Sequence, residues 1–273
     1  NYLPTMNRSE IFLVMVSGMG TIAGSVMGTY IGMLGGTDPA AKVLFATHLL
    51  SASVMAVPGS IVLAKMLCPQ TEEATDHVAI SGKEKENSNI LDAISSGTVT
   101  GVKLMTNIAA MLLVFISLVA LANYITEGVI GRYTGLNDWI VKITDGKAQG
   151  LTFQFILGVI TSPFMWLIGV PSQDIMLVGS LLGQKTILNE FVAYFQLQQW
   201  KDAGLFMYEK SILMSTYILC GFANISSIGI LLGGLGVLAP EKRGLISRIG
   251  VPAMIGGALV SVLSATIIGM ILG

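Results

Sequence analysis

The sequence predicts an all-α integral membrane protein, and three properties of the chain lead to this prediction. Of its 273 residues, 53% are hydrophobic, only 11% are charged, and the mean hydropathy is +0.75. Soluble globular chains carry roughly 25% charged residues, so this chain has too few to cover a water-facing surface. Six uncharged stretches also occur, and most reach the roughly 20 apolar residues that a membrane-spanning helix needs. They are residues 11–37, 43–64, 104–126, 148–173, 211–240 and 249–273.

Charge and composition exclude several other classes of protein. A buried helix in a large soluble protein explains one uncharged stretch but not six. The net charge is −1 and the basic residues are scattered, so lipid rather than nucleic acid is the expected partner. Cys68 and Cys220 are far apart, and His48 and His77 form no cluster, so we expect neither a disulfide framework nor a metal site of Cys and His. His48 lies in an apolar run, where packing is favoured over a proton-relay role.

The N-terminal part, residues 1–68, is predicted to contain a broken transmembrane helix and a second transmembrane helix. The first apolar run, residues 11–37, is interrupted by Gly18, Gly20 and Gly24. Residues 69–89 are rich in charged side chains and should form a cytoplasmic loop.

The middle of the chain, residues 90–131, is predicted to form an interfacial helix and then a long apolar helix. Residues 90–103 have the apolar spacing of a helix that lies at a membrane surface. They lead directly into the uncharged residues 104–126. Residues 132–150 are polar and should connect to the next segment on the extracellular or periplasmic side.

Residues 151–200 are predicted to form an apolar helix and a re-entrant hairpin. Pro163 should break the apolar run at residues 151–170. Two half-apolar pieces follow, residues 175–182 and 191–197, joined by residues 183–190. Neither piece is long enough to cross a bilayer. Because unwound backbone cannot face lipid, the tip between them should lie inside protein.

The C-terminal part, residues 201–273, is predicted to contain a second broken helix and a last transmembrane helix. The break falls around residues 221–227, and the last apolar run covers residues 251–272. The loop between them carries Lys242, Arg243 and Arg248, which places it in the cytoplasm by the positive-inside rule.

The two broken helices resemble each other. The eight residues from Gly18 align without gaps with the eight from Gly221, and Thr21 then falls on Asn224. By the predicted topology the two helices run in opposite directions. Such a pair indicates a binding site at the interface of an inverted repeat. Close helix packing through small residues is the alternative explanation.

Glu190 is the strongest candidate for a functional residue. Placing a carboxylate inside the membrane costs free energy, so such a residue indicates a functional site by default. Pairing with Lys185 is the structural alternative. Two carboxylate oxygens can accept hydrogen bonds from a vicinal diol, as on a ribose. Asn189, beside Glu190, is a further candidate for the substrate-binding site, and Asn224 and Ser227 are three residues apart, hence on one helix face.

Several long motifs resemble the concentrative nucleoside transporters. In chain order the motifs are TIAGSV from Thr21, LLSASVMA from Leu49, NEFVAY from Asn189 with Lys185 before it, LCGFANISSIG from Leu219, LLGGLG from Leu231 and APEKRG from Ala239. The resemblance implies an inverted-repeat transporter core, a homotrimer in the bacterial inner membrane with residues 104–126 at its axis, and inward transport of nucleosides such as uridine by an elevator movement. The coupling ion is sodium or, in some members, a proton, and no other cofactor is implied.

The resemblance also assigns residues to the site. Glu190, Asn224 and Ser227 would bind ribose, and Phe222 would line the pocket, although core packing is the alternative for this side chain. Val26 would touch the base. The hydroxyl of Thr21 and the carbonyl of Ile22 would be two of the sodium ligands.

The sequence is expected to be the C-terminal part of a longer protein, because the family's first hairpin and N-terminal helices are missing from it. A carrier for another polar solute, or a channel, is the alternative function. A membrane enzyme is disfavoured, since no His, Cys or second carboxylate lies near Glu190 in the sequence.

Overall fold

The structure is a computed structural model that describes residues 3–72, 89–144, 146 and 148–273. Helices and their connections make up this described part, and no strand occurs in it. In chain order the helices are α1 (Arg8–Gly20), α2 (Gly24–Gly35), α3 (Pro39–Leu67), α4 (Ile90–Asn123), the single turn α5 (Arg132–Thr134), α6 (Leu136–Ile143), α7 (Phe153–Leu167), α8 (Ile175–Ile187), α9 (Glu190–Asp202), α10 (Glu209–Leu219), α11 (Ile225–Leu238) and α12 (Arg243–Ile271). Most of the predicted loop at residues 69–89 lies outside the described residues.

Three helical stretches of the described chain are long and apolar enough to cross a membrane. They are Arg8–Gly35, Pro39–Leu67 and Pro240–Ile271. The chain divides into two compact units. The first comprises Asn1–Asp76 and Gln154–Gly273, and the second comprises His77–Phe153. Both broken helices and the hairpin belong to the first unit, and α4 belongs to the second.

Helix α4, in the second unit, covers the predicted interfacial part and most of the predicted apolar helix. Residues 90–123 form this one continuous helix. They contain no proline, and nothing in them forces the helix to end. A π-helical segment, Tyr124–Gly131, follows α4. The polar connector is partly helical, and Asn137 in it donates from Nδ2 to Glu127 O at 3.0 Å and accepts from Leu151 N at 2.9 Å.

Pro163 was predicted to break its helix, but it does not. It lies inside α7, which continues from Phe153 to Leu167. Pro163 lacks an N–H group and so removes only the backbone hydrogen bond to Val159 O, a loss that membrane helices tolerate. The hydroxyl groups of the two preceding residues add hydrogen bonds in the same turn: Thr161 donates to Leu157 O at 2.8 Å and Ser162 donates to Gly158 O at 2.6 Å.

The hairpin is present, but its tip is much shorter than predicted. Helix α8 continues to Ile187 and α9 begins at Glu190, so only Leu188 and Asn189 separate them instead of residues 183–190. Gln184 and Lys185 interrupt the apolar pattern of the sequence, yet both are buried in α8 and hydrogen-bonded. Because these polar groups find partners inside the protein, the helix has no reason to end before them.

His48 has the packing role that the sequence favours. Its Nδ1 lies 3.1 Å from the hydroxyl of Tyr217, and the two rings meet edge to face. The contact joins α3 to α10.

The second helix break touches the end of the helix that precedes the first break. The first comprises Thr21–Ala23 and the second Cys220–Asn224. A Cβ atom added to Gly221 would lie only 2.9 Å from Met19 O, so the backbones are in direct contact. Thr21 follows the last residue of α1, whereas Asn224 precedes the first residue of α11. By their place in the break, Thr21 therefore corresponds to Cys220, not to Asn224 as the gapless alignment suggested.

We expect Gly221→Ala to destabilise the protein. Gly221 has φ +136°, which L residues rarely adopt, and the added methyl group would meet the end of α1. Strained backbone of this kind costs about 1–3 kcal/mol. Thermal unfolding in detergent should show a lower melting temperature, while the control Gly233→Ala, at an open position of α11, should match wild type. Equal melting temperatures for all three proteins would contradict the close approach of the second break to the end of α1.

Candidate functional site

Glu190 is the first residue of α9 and lies at the tip of the hairpin. Asn189 caps this helix by accepting a hydrogen bond from Val192 N at 2.9 Å. The unpaired N–H groups at a helix N-terminus favour a negative charge there. The Glu190 side chain is nevertheless buried, with 6% of the residue exposed. Its charge must therefore be stabilised by partners from other helices.

Two such partners are present, one on each broken helix. Asn224 donates from Nδ2 to Glu190 Oε2 at 3.0 Å, and the Tyr30 hydroxyl donates to Oε1 at 3.4 Å. Tyr30 belongs to α2 and Asn224 caps α11. The carboxylate thus joins the hairpin tip to the second half of both broken helices.

Asn224 also organises the start of α11. Its Oδ1 accepts from Ser227 N at 2.9 Å and lies 3.0 Å from Ser227 Oγ and 2.6 Å from Ser226 Oγ. The Ser227 hydroxyl also donates to Phe222 O. Glu190, Asn224 and Ser227, which the sequence grouped by chemistry, therefore form one connected polar cluster. Phe222 is half-buried, and its side chain packs at the edge of the apolar core.

Tyr30 was not identified from the sequence. Its ring is fully buried, stacks on Tyr194 with centroids 4.0 Å apart, and lies 6.3 Å from the ring of Phe191. Val26, the predicted base contact, is half-buried one helical turn earlier on α2 and packs against the same core. The spacing of four residues between Val26 and Tyr30 places both on one helix face. This spacing is the feature of the sequence from which Tyr30 could have been identified.

Asn189 and Lys185 each make contacts other than with the Glu190 carboxylate. The side-chain oxygen of Asn189 caps α9, whereas the Glu190 carboxylate accepts from Asn224 and Tyr30. Among the described residues, no ion pair links Lys185 to Glu190. The Lys185 ammonium instead donates to Ile218 O at 2.7 Å and to Ser261 Oγ at 3.0 Å.

The predicted ion ligands lie at the first break. Thr21 donates from its hydroxyl to Ser17 O at 2.9 Å, which leaves the oxygen lone pairs free to accept a cation. Ile22 buries its side chain in the core. Within the described chain, no group of three or more His, Cys, Asp and Glu residues could hold a metal ion. Hydroxyl and carbonyl oxygens such as these suit a hard cation.

Comparison with known proteins agrees with the fold and the motifs. A family model described as the C-terminus of Na⁺-dependent nucleoside transporters matches residues 48–269. The chain belongs to this family. It is 39% identical over 275 residues to a transporter of Haemophilus influenzae and 38% identical over 284 residues to sodium/nucleoside cotransporter 1 of Rattus norvegicus. A structure of CNTnw in an inward-facing, substrate-bound state matches with a TM-score of 0.80 and 34% identity.

The matches cover nearly all of this chain but only part of its relatives. They include 100%, 99% and 100% of the chain, but 61% of the Haemophilus protein, 40% of the rat protein and 59% of CNTnw. The predictions of a helical membrane protein and of this family are confirmed. The relatives are transporters rather than enzymes, as the sequence also predicts.

A pair of substitutions tests the polar cluster. We expect Asn224→Asp to destabilise the protein by about 1–3 kcal/mol, because it removes a donor to a charged group and sets two carboxylates side by side. Asn189→Asp makes the same change at a cap that only accepts a hydrogen bond, and should cost less than about 0.5 kcal/mol. Thermal unfolding at pH 7 measures both variants. Equal losses would show that the Asn224–Glu190 bond is unimportant.

Proposed function

We propose that the whole protein imports nucleosides by symport with a cation, in the first place sodium. The observation that supports this most directly is the buried Glu190 carboxylate, held between the hairpin tip and the two broken helices. Membership of the nucleoside-transporter family supports the substrate class, and the name of the rat relative supports sodium.

Glu190, Asn224 and Ser227 would bind the ribose. Each carboxylate oxygen has about two acceptor sites, and Tyr30 takes one on Oε1 while Asn224 takes one on Oε2. Acceptor sites that remain can receive hydrogen bonds from sugar hydroxyls. Asn224 has a second N–H group to offer the same ligand. Phe222 and Val26 would provide apolar contacts, Val26 to the base, and Asn189 would support the site by capping α9.

The coupling ion would bind at the first break, to the Thr21 hydroxyl and the Ile22 carbonyl. Backbone freed by unwinding a helix supplies carbonyl oxygens that no longer pair within the helix. Thr21 and Ile22 are a partial site, and the other ligands would come from elsewhere in the whole protein. A proton-coupled member would use the same substrate site with a different driving ion.

We further propose elevator-type transport by a homotrimer in the bacterial inner membrane. The division into two compact units supports the movement, because the hairpin and both broken helices share one unit. The long helix α4 belongs to the other unit and would include the predicted trimer scaffold, residues 104–126.

Replacement of Glu190 tests the substrate site. We expect Glu190→Gln to weaken uridine binding by about tenfold or more, because a neutral amide accepts more weakly than a carboxylate from ribose hydroxyls. The measurement is radiolabelled uridine uptake by the full-length protein in proteoliposomes. Glu209→Gln, an exposed acid at the start of α10, is the control and should transport like wild type.

The ion gradient in the same experiment decides the coupling. Accumulation that needs an inward sodium gradient and disappears in Glu190→Gln supports the proposal. Accumulation driven only by a proton gradient would show that the coupling ion is the proton and not sodium. If wild type accumulates no uridine under either gradient, the proposed substrate is wrong.

Thr21 tests the ion site separately. Thr21→Val keeps the shape of the side chain but lacks the hydroxyl, so the sodium concentration for half-maximal uptake should rise by about tenfold. Thr21→Ser keeps the hydroxyl and should change it by less than about twofold. Uridine affinity at saturating sodium should be similar in both variants. An unchanged sodium dependence in Thr21→Val would exclude the hydroxyl as a ligand.

A further inference from the structure

Lys185 is a fully buried lysine on α8, five residues before Glu190. Burial of an ionisable side chain inside a membrane protein costs free energy, so such a side chain indicates a functional role. The proposed binding of ribose and sodium does not use it. Its contacts show where that role lies.

The Lys185 ammonium lies at the C-terminal end of α10, where the second broken helix stops. The last carbonyls of a helix lack partners within the helix, and together they carry a partial negative charge. Lys185 donates to one of them, Ile218 O, at 2.7 Å. It also donates to Ser261 Oγ at 3.0 Å, and Ser261 in turn donates to Cys220 O at 2.8 Å. One cation therefore satisfies the Ile218 carbonyl and holds the hydroxyl that satisfies the Cys220 carbonyl.

The same hairpin holds the other side of the break. Glu190 accepts from Asn224, the cap of α11, at 3.0 Å. Lys185 thus binds the end of the half-helix before the break, and Glu190 binds the start of the half-helix after it. A break held at both ends by one hairpin has a fixed shape, and that shape sets the position of Asn224.

We propose that Lys185 is a positioning residue that fixes the segment Cys220–Asn224 for ribose binding. Its ammonium group is a covalently attached cation at the second break, where it has the place that a bound ion could take. The inference rests on the proposed function for its use, but the anchor itself can be tested without substrate. Lys185 contacts neither the ribose nor the sodium site in this scheme. It acts through Ile218, Ser261 and the backbone of the break.

Ser261→Ala is the decisive variant, because it removes the relay and leaves the charge of Lys185 in place. The matched control is Ser264→Ala, one turn later on α12, where the buried hydroxyl donates only to its own helix at Val260 O. We expect the dissociation constant for uridine to rise about fivefold in Ser261→Ala. It should change by less than about twofold in Ser264→Ala. Half-maximal sodium, measured at saturating uridine, should change by less than about twofold in either variant, since neither substitution removes a proposed sodium ligand.

Lys185→Met gives the larger perturbation. Loss of the ammonium leaves the buried Ile218 O and Ser261 Oγ without the donor they share, so uridine affinity should fall by about tenfold or more. The control is Lys65→Met, because Lys65 also donates two hydrogen bonds, one of them to the hydroxyl of Ser9, but at the far end of α3. If Lys185→Met does not fold, Ser261→Ala still tests the proposal.

A readout independent of nucleosides uses the two cysteines of this chain. Cys220 is 2% exposed and lies in the anchored segment, whereas Cys68 is half-buried and distant from it. In the full-length protein, labelling by a small maleimide, followed by mass spectrometry of each peptide, should reach Cys220 about tenfold faster in Ser261→Ala than in wild type. The labelling of Cys68 should be the same in both, as should Cys220 labelling in Ser264→Ala.

The outcomes separate the two proposals. Faster Cys220 labelling together with weaker uridine binding supports the proposed role of Lys185. Unchanged labelling and unchanged affinity in Ser261→Ala overturn it. A changed half-maximal sodium concentration at saturating uridine, with unchanged uridine affinity, would also overturn it, because the effect would then lie at the first break. If wild type takes up no uridine, the proposed function fails, while the labelling still decides whether the anchor exists.

Discussion

The structure depends on one constraint, the need to satisfy backbone groups where helices are broken inside the membrane. Each bare N–H or C=O group costs several kcal/mol in hydrocarbon. At the second break, carbonyls of α10 and of the segment after it receive hydrogen bonds from Tyr194, Lys185 and Ser261. On the other side, Asn224 caps α11. The residues that satisfy the backbone groups at the break therefore also surround the candidate site.

Close approach of small residues is the second requirement. The break at Gly221 touches the end of α1, and Gly257 on α12 leaves room for Met19, to which an added Cβ would come within 2.8 Å. Glycine permits this contact because it adds no side chain, and Gly221 also adopts a positive φ. The two explanations for glycine in the broken helices, packing and binding, are thus compatible. Packing brings the second break against the end of α1, and the proposed binding uses polar side chains beside the breaks.

Asn224 would link the stability of α11 to the proposed ribose binding. Its oxygen holds the first turn of α11, while its amide nitrogen orients the Glu190 carboxylate. Asn189 caps α9 in the same way without a contact to that carboxylate. The comparison shows how a common capping residue acquires a second role when a neighbouring helix tip brings a charge within reach. A carboxylate that is already oriented loses less freedom when a ligand binds.

The sequence by itself determined the membrane class, the position of both breaks, the presence of the hairpin and the polar set of Glu190, Asn224 and Ser227. These features follow from local composition and spacing, which the apolar runs and their interruptions display directly. Only the tertiary structure decided the short hairpin tip, the continuity of α4 and α7, and the partners of Lys185 and Glu190. Lys185 meets Ser261 across 76 residues and Glu190 meets Tyr30 across 160, so no local pattern encodes either contact. Polar residues that interrupt an apolar run predict a loop when they have no partner, and packing of distant helices is what supplies one.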